Sequence, residues 1–425
     1  MKFDIIIFGA SGYTGQFVVE YLARALAQDG AKLTWAISGR SESKLKTVLE
    51  AASKTTGLDL HSIPVVVCDV KEASSLAQMA AQARLVLNCV GPYRFYGEQV
   101  VKACVEAATH HLDISGEPQF MEKMQLHYHE PAQAQGVYVI SSCGFDSIPS
   151  DLGQMFLTSK MEGDVNDIET YLSVTTPPNV SGPVINFGTW QSAIYGLAMA
   201  HELKPLRQSL YPERLPALQP KLKARPALHF NDVVQGWCLP FLGSDRSVMI
   251  RTQRARFHRD KKRPAQVGCY VRMSSLFYAV CAIFVGAIFS VLAKSSWGRY
   301  LLETYPRFWS AGAVSKEGPS QAMTEETNFE MKLVGRGWRE SQSDPTANPS
   351  GTPTRQVTVT VKGKNVGYGS TCQCLVQSAL VLLSEADRMP GQGGVYPPGY
   401  AFARTSLVDR LTQNHVTFEA EVEDF

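Results

Sequence analysis

The sequence feature that most constrains the fold is a glycine-rich turn close to the start of the chain. GASGYTG, from Gly9 to Gly15, follows the apolar run at residues 4–8 and precedes residues 16–26, whose apolar side chains fall on one helical face. Glycines in such a turn let the backbone leave the strand tightly, approach a pyrophosphate and pack the helix on the sheet. The phosphates then meet the N–H groups at the positive end of the helix. The turn therefore predicts a dinucleotide site formed by Gly9, Ser11, Gly12, Tyr13, Thr14 and Gly15.

The first third of the chain alternates short apolar runs with helical patterns. The candidate strands are residues 4–8, 34–38, 64–68, 85–89, 111–114 and 137–141. Such alternation is typical of βαβ units that build a parallel sheet, and six strands suit a doubly wound fold. This order of elements favours the dinucleotide site over an ordinary strand-to-helix turn. We predict a Rossmann-type α/β domain over residues 1–150.

A second domain is expected because 425 residues exceed the usual size of one domain. Residues 168–176, 329–334 and 356–362 alternate apolar and polar side chains with a period of two, which indicates half-buried strands of an antiparallel sheet. We predict an α+β domain, built on a mainly antiparallel sheet, over residues 151–366. Residues 367–425, which begin with a helical pattern, are predicted to pack back on the first domain.

The end of the second strand indicates which nucleotide the turn holds. NAD enzymes usually place an acidic residue there to bind the ribose 2′-hydroxyl, but the stretch WAISGRS contains none. Arg40 presents a planar fork that can bind a 2′-phosphate bidentately, with Ser41 beside it. The alternative is a solvated arginine at a helix start. We predict NADP(H) as the cofactor, with Asp69 beside the adenine and Val90 and Gly91 beside the nicotinamide half.

Polar side chains follow strands four to six of the predicted sheet. Open parallel sheets bind ligands at the carboxyl ends of their strands, so chemistry is expected there. Hydride transfer needs a nearby proton donor, and the candidate catalytic residues are Tyr93, Glu117 and Asp146, with Tyr96 as a further candidate. Capping of the helices that follow is the alternative role for Glu117 and Asp146.

Four segments resemble the signature segments of the saccharopine dehydrogenase-like oxidoreductases. They are GASGYTG, NCVGPYRFYGE, DISGEPQF and GFDSIPSDLG, and the resemblance extends to GGVYPPGYAF near the C-terminus. The resemblance is to a vertebrate-type member, and it implies a nucleotide-binding domain, a second α+β domain and an oxidoreductase activity. Bacterial relatives with similar segments are described as trans-acting enoyl reductases. The three loops after predicted strands four to six contain a single cationic side chain, Arg94. A substrate that is an amino acid with several carboxylates needs several cationic side chains.

One apolar segment departs from the pattern of a globular core. Residues 273–293 contain no charged side chain, and as a helix they span about 30 Å, enough to cross a bilayer. A basic run at residues 251–263 precedes them and several aromatic residues follow, which suits a membrane interface. A single crossing, however, would separate strands predicted to share one sheet. The alternatives are a membrane-associated or re-entrant segment, and a helix buried in the core or in an oligomer interface.

Composition limits the partners and the compartment. A formal charge of +2 gives no reason to expect nucleic acid. Nine scattered cysteines indicate reduced thiols in a cytosol-facing protein. No metal is expected, because Cys372 and Cys374 have no neighbouring ligand cluster.

These features favour an NADPH-dependent oxidoreductase that acts on an apolar, lipid-linked carbonyl, imine or enoyl substrate. We expect a membrane or lipid-droplet surface as a partner through residues 273–293, a cytosol-facing location on lipid droplets or intracellular membranes, and a homodimer as a further option. The alternatives are a lipid-droplet-associated protein that binds NADP without turnover, and an amino-acid dehydrogenase of the saccharopine type.

Overall fold

The computed structural model describes residues 1–30, 32–176, 181–365 and 369–425. Its first part alternates strands and helices: β1 (Phe3–Phe8), α1 (Tyr13–Asp29), β2 (Trp35–Gly39), α2 (Glu42–Thr56), β3 (Val65–Val67), α3 (Ala73–Ala80), β4 (Ala83–Asn88), α4 (Tyr93–Glu106), β5 (His110–Asp113), α5 (Pro118–Ala134) and β6 (Tyr138–Ile140). All six predicted strands are present, with their ends displaced by one or two residues.

The rest of the chain contains ten further strands and eleven further helices within the described residues. They are α6 (Ile148–Met161), β7 (Val165–Thr175), β8 (Ile185–Asn186), α7 (Phe187–Ala198), α8 (Leu203–Leu210), β9 (His229–Asn231), β10 (Gly236–Pro240), α9 (Asp245–Asp260), β11 (Gln266–Met273), α10 (Leu276–Lys294), α11 (Ser296–Thr304), α12 (Pro306–Trp309), β12 (Val314–Ser315), α13 (Gln321–Glu326), β13 (Asn328–Gly337), β14 (Arg355–Lys364), α14 (Gly369–Ser384), β15 (Gly394–Tyr396), α15 (Pro398–Ala401), α16 (Leu407–Gln413) and β16 (Val416–Asp424).

The first sheet has the doubly wound topology that the alternation predicts. Its strand order is β15-β6-β5-β4-β1-β2-β3, and all its pairs are parallel. Ile5, Ile6 and Ile7 of β1 are fully buried, as expected of a central strand that helices cover on both faces. The strand order places the crossover between β1 and β4, where doubly wound folds bind nucleotides.

The second sheet confirms the predicted α+β architecture. Its order is β16-β14-β13-β7-β11-β10-β9, and every pair is antiparallel except β7 with β11. The three strands predicted from period-two alternation, β7, β13 and β14, are neighbours in this sheet. Their inward side chains, including Leu333 and Val359, are fully buried.

The C-terminal residues contribute to both sheets. β15 extends the first sheet, β16 extends the second, and α14 packs against α1. One continuous hydrophobic cluster joins Leu85 of the first sheet to Leu333 of the second. The domain boundaries at 150/151 and 366/367 stay predictions, and the second of them falls on residues outside the described part of the chain.

A group of helices with its own small core lies beside the two sheets. It consists of α7, α10, α11 and α12 with the short strands β8 and β12 (residues 185–198 and 276–315), and we call it the helical unit. Ile194, Ala293 and Leu302 form its buried centre, and Trp190 packs at a tilt against Phe289, with ring centroids 4.7 Å apart.

Candidate functional site

The glycine turn between β1 and α1 lies against the end of β4. Gly9 has a left-handed φ of +84°, and a Cβ at this position would be 2.7 Å from Val90 Cγ2. A Cβ at Gly15 would collide with the carbonyl oxygen of Gly9. A larger residue at either position would therefore displace the turn or α1. The first-turn N–H groups of α1, which begins at Tyr13 with Gly12 as its N-cap, have no acceptors within the helix and can bind a pyrophosphate.

The residues predicted to select the nucleotide lie at the ends of β2 and β3. Ser11 Oγ is 3.5 Å from the place where a Cβ of Gly39 would be, so the turn and the end of β2 are adjacent. Arg40 is exposed, and it makes no hydrogen bond or ion pair with any described residue. Ser41 caps α2 through its hydroxyl, and Asp69 Oδ1 accepts a backbone N–H in the turn after β3 at 3.0 Å. NAD enzymes place an acidic residue at the end of this strand. A guanidinium without a hydrogen-bond partner among the described residues suits a 2′-phosphate there.

Tyr93, a predicted proton donor, has its side chain buried in the protein interior. Its side chain is buried, and its hydroxyl donates to the carbonyl oxygen of Asn88 at 2.8 Å. Burial, with the nearby Asp113 carboxyl, raises the pKa of the phenol well above its ordinary value. In this conformation the hydroxyl proton is engaged by a backbone carbonyl and does not point toward a substrate. Val90 and Gly91, which precede Tyr93, lie between the glycine turn and α4.

Glu117, the second predicted proton donor, is a buried helix cap in the structure. Its Oε1 accepts the N–H of Tyr93 at 2.9 Å, and its Oε2 accepts the N–H of Arg94 at 3.0 Å. These N–H groups belong to the first turn of α4, where a carboxylate also complements the helix dipole. The sequence predicted capping of the following helix as the alternative role. That detail is wrong, because Glu117 makes no side-chain bond to α5 and caps α4 instead.

Asp146 is the candidate that best meets the needs of a proton donor. The residue is partly exposed, and its carboxyl lies close to Gly116, after β5, and Gly243, before α9. Burial raises the pKa of Asp146 to about 7. Burial and the neighbouring Asp146 charge raise the pKa of Asp245 well above its ordinary value. A carboxyl with a pKa of about 7, as at Asp146, can donate a proton near neutral pH, as a general acid requires.

Asp113 is a buried site residue that sequence reasoning missed. It ends β5, and its carboxylate accepts hydrogen bonds from Ser115 N, Ser141 Oγ and Ser142 N at 2.9, 2.8 and 3.2 Å. Burial raises the pKa of Asp113 to about 7. The signal in the sequence is a single acid at the end of a short strand.

The helical unit reaches the cleft from two sides. On one side, Tyr13 of the glycine turn donates its hydroxyl proton to the carbonyl oxygen of Pro319, just after the unit, at 2.9 Å. On the other side, Ser192 of α7 donates to Glu117 Oε1 at 2.8 Å. Tyr195 of α7 packs edge-on against Phe95 of α4, with ring centroids 5.0 Å apart. The unit therefore spans the carboxyl-terminal edge of the first sheet.

The outer face of the helical unit is apolar. α10 is the one described helix long and apolar enough to cross a membrane, yet only 11% of its most apolar window is buried. The alternative of a helix buried in the core is therefore wrong, whereas burial in an oligomer interface stays open. Phe277, Phe284 and Val291, each seven residues apart, are 70%, 67% and 70% exposed. Trp297, Tyr300 and Phe308 of α11 and α12 are also exposed.

A single membrane crossing by α10 is incompatible with the second sheet. β11 precedes α10 and β13 follows it, and both strands pair with β7. These two strands would lie on opposite sides of a membrane that α10 crossed once.

The basic run before α10 also differs from the expectation. Arg251 and Arg263 are buried, and Arg259 donates to Tyr396 Oη at 2.8 Å. Most of this run therefore bonds within the protein instead of facing a membrane.

The doubly wound sheet and its glycine turn define a dinucleotide-binding domain. Residues 5–140 match the family model of the saccharopine dehydrogenase NADP binding domain. The chain is 41% identical to the human saccharopine dehydrogenase-like oxidoreductase over 98% of this chain and 96% of that protein. It is 38% identical to a Caenorhabditis elegans protein named lipid droplet localized protein, over 99% of both chains.

The chain therefore belongs to the saccharopine dehydrogenase-like oxidoreductase family, and it binds NADP(H). Its fold is similar to that of yeast saccharopine dehydrogenase (L-Glu forming), with a TM-score of 0.57 and 13% identity over 99% of this chain and 100% of that chain. That likeness concerns the fold alone.

Proposed function

We propose that the protein is an NADPH-dependent reductase that takes an apolar, lipid-linked carbonyl, imine or enoyl substrate from a lipid surface. The helical unit is the observation that carries this proposal. Its apolar outer face and its contact with Glu117 belong to one packed group of helices, and Pro319, just after the unit, accepts the hydroxyl proton of Tyr13. A lipid that leaves the surface at α10 then has a short path to the carboxyl ends of β4, β5 and β6.

Within this proposal, NADPH supplies a hydride when bound. The cofactor residues are those predicted from the sequence: Gly9, Ser11, Gly12, Tyr13, Thr14, Gly15, Arg40, Ser41, Asp69, Val90 and Gly91. Asp146 is the proton donor, because the residue is partly exposed and burial of its carboxyl raises its pKa to about 7. Tyr93 and Glu117 fix the start of α4, which forms one wall of the cleft.

The proposed location is the cytosolic face of lipid droplets or intracellular membranes. An apolar face of this size needs a cover of lipid or protein. The name of the nematode relative supports lipid. In this arrangement α10 lies along the surface, because a single crossing would divide the second sheet.

A second candidate function is NADP binding at a lipid surface without turnover. It is favoured by the internal hydrogen bonds of Tyr93 and Glu117, which leave Asp146 and Tyr96 as the partly exposed residues among the predicted donors.

Oxidation of NADPH, followed by its absorbance, separates the two functions. The full-length protein is mixed with phospholipid-coated triacylglycerol emulsions that carry enoyl, carbonyl or imine lipids. We expect oxidation that requires the lipid surface and that falls at least tenfold in Asp146→Asn, while NADPH still binds. NADPH binding without oxidation of any of these lipids would support the second function.

A further inference from the structure

One edge of the Arg94 guanidinium, formed by Nε and Nη2, is buried and has no hydrogen-bond partner among the described residues. Its Nη1 forms an ion pair with Glu202 at 2.9 Å, and its backbone N–H is held by Glu117. Its Nε and Nη2 are both buried, and neither has a hydrogen-bond acceptor in the described part of the chain. Charged donors without acceptors destabilise a fold when they are buried. A partner from outside the chain would remove that penalty.

The chemistry of this edge is visible elsewhere in the same protein. Nε and Nη2 of arginine lie side by side and match the two oxygens of a carboxylate or phosphate. Arg207 holds Glu122 on this edge, with Nε and Nη2 at 2.9 and 2.8 Å from the two carboxylate oxygens. Arg225 holds Glu169 on the same edge, at 2.5 and 2.6 Å. The matching partner for Arg94 is therefore an anion with two adjacent oxygens.

The position of Arg94 indicates which molecule brings that anion. Arg94 is the second residue of α4 and comes four residues after Val90, which contacts the glycine turn. Its neighbour Phe95 contacts α7 of the helical unit, and its partner Glu202 lies just after α7. The proposed sites of the cofactor phosphates are the start of α1, after β1, and Arg40, after β2, whereas Arg94 follows β4. The anion at Arg94 is then a group of the substrate.

We propose that the Nε and Nη2 edge of Arg94 binds a carboxylate or phosphate of the substrate, which makes that substrate an anionic amphiphile. This inference rests on the proposed function and names its substrate class. One guanidinium edge accommodates one anionic group, and the apolar chain lies toward α7. Arg94 selects lipids with an acidic head over neutral lipids of the same chain length.

Binding of matched probes to the NADP-loaded full-length protein tests the inference. The probes are dodecanoate and dodecyl phosphate, compared with methyl dodecanoate and dodecanol, at concentrations below micelle formation, by calorimetry. We expect one or both anionic probes to bind the wild type at least tenfold more tightly than their neutral counterparts. Comparison of the two anionic probes distinguishes a carboxylate from a phosphate.

Arg94→Lys keeps the charge but loses the two-pronged edge. We expect it to weaken the preferred anionic probe about 10- to 100-fold, as loss of a bidentate contact does, with NADPH and neutral-probe affinities unchanged. Arg339→Lys, the same substitution at an exposed arginine that pairs with Asp424 in the second sheet, is the matched control and should bind every probe like the wild type.

Three results would overturn the inference. The first is equal affinity of the wild type for charged and neutral probes, which needs no variant and indicates that the edge holds only water. The second is an unchanged affinity of Arg94→Lys for the anionic probes. The third is an equal loss of NADPH affinity in Arg94→Lys, which would assign the edge to the cofactor. These binding measurements need no turnover, so a protein that binds dodecanoate through Arg94 but never oxidises NADPH would refute the reductase and retain the site.

Discussion

Lipid docking through α10 is tested most directly by removing its exposed apolar side chains. The variant replaces Phe277, Phe284 and Val291 by serine. Because these residues are 70%, 67% and 70% exposed, the substitutions leave the packed side of the helix, where Ala279 and Ala293 are buried, unchanged. We expect each exposed substitution to alter the free energy of unfolding by no more than about 0.5 kcal/mol.

The size of the effect follows from the exposed area. Full transfer of a Phe or Val side chain from water into an apolar environment is worth about 1.5–3 kcal/mol. Roughly two thirds of each side chain is available, so each contributes about 1–2 kcal/mol to lipid binding and the three together about 3–6 kcal/mol. At 1.4 kcal/mol for each factor of ten, the partition coefficient falls about 100- to 10,000-fold.

The assay is flotation of the full-length protein with phospholipid-coated triacylglycerol emulsions. The control variant carries serine at Val67, Val422 and Phe425, which are 56%, 45% and 69% exposed but lie outside the helical unit. We expect the control to float like the wild type and the α10 variant to stay at the bottom of the gradient. Equal flotation of the two variants would refute lipid docking through α10. A wild-type dimer that only the α10 variant dissociates would show that a second copy of the chain covers this face.

Three further predictions concern the cofactor site and the buried acids. Arg40→Ala should weaken NADPH binding by about 1.5–3 kcal/mol and leave NADH binding unchanged; equal losses in fluorescence titrations with both nucleotides would contradict the 2′-phosphate assignment. Glu117→Gln removes the charge and turns an amide nitrogen toward an N–H or hydroxyl donor, so the free energy of unfolding should fall by about 1–3 kcal/mol in denaturant titrations. Glu202→Gln, at a partly exposed ion pair, should change it by less than about 1 kcal/mol. Burial raises the pKa of Asp113 to about 7, so between pH 4 and pH 7 the folded protein holds a proton that the unfolded chain releases. The free energy of unfolding therefore falls as pH rises through this range, by at most about 4 kcal/mol from this group. Asn does not titrate, so the free energy of unfolding of Asp113→Asn should fall less than that of the wild type between pH 5 and pH 8. Parallel pH profiles of the two proteins would contradict the shifted pKa.

The fold could be predicted where local pattern decides structure. The six strands of the first sheet and the strands β7, β13 and β14 follow from apolar runs and period-two alternation, which depend on neighbouring residues alone. The turn from Gly9 to Gly15 could be placed because the contact that requires glycine at position 15, with the carbonyl oxygen of Gly9, lies within one strand–turn–helix unit.

The roles of site residues could not be predicted because they depend on partners far away in the chain. Glu117 caps a helix that begins 24 residues earlier, and no short-range pattern marks that pairing. Arg259 forms its bond with Tyr396 across 137 residues, so a run that reads as a basic flank is largely engaged inside the protein. α10 is apolar around its whole circumference, and for this reason its sequence did not distinguish burial in a core from exposure to lipid.

The contacts of Glu117 link the exposed apolar helices to the proposed substrate site. Phe289 of α10 packs against Trp190 of α7, and Ser192, two residues further along α7, donates to Glu117 Oε1. The same carboxylate holds the backbone N–H of Arg94. A displacement of α7 when α10 meets lipid would therefore change the hydrogen bonds of the carboxylate that positions the start of α4. Docking and substrate binding are then coupled through one buried side chain, and a lipid surface should affect the binding of the anionic head at Arg94 as well as the supply of the apolar chain.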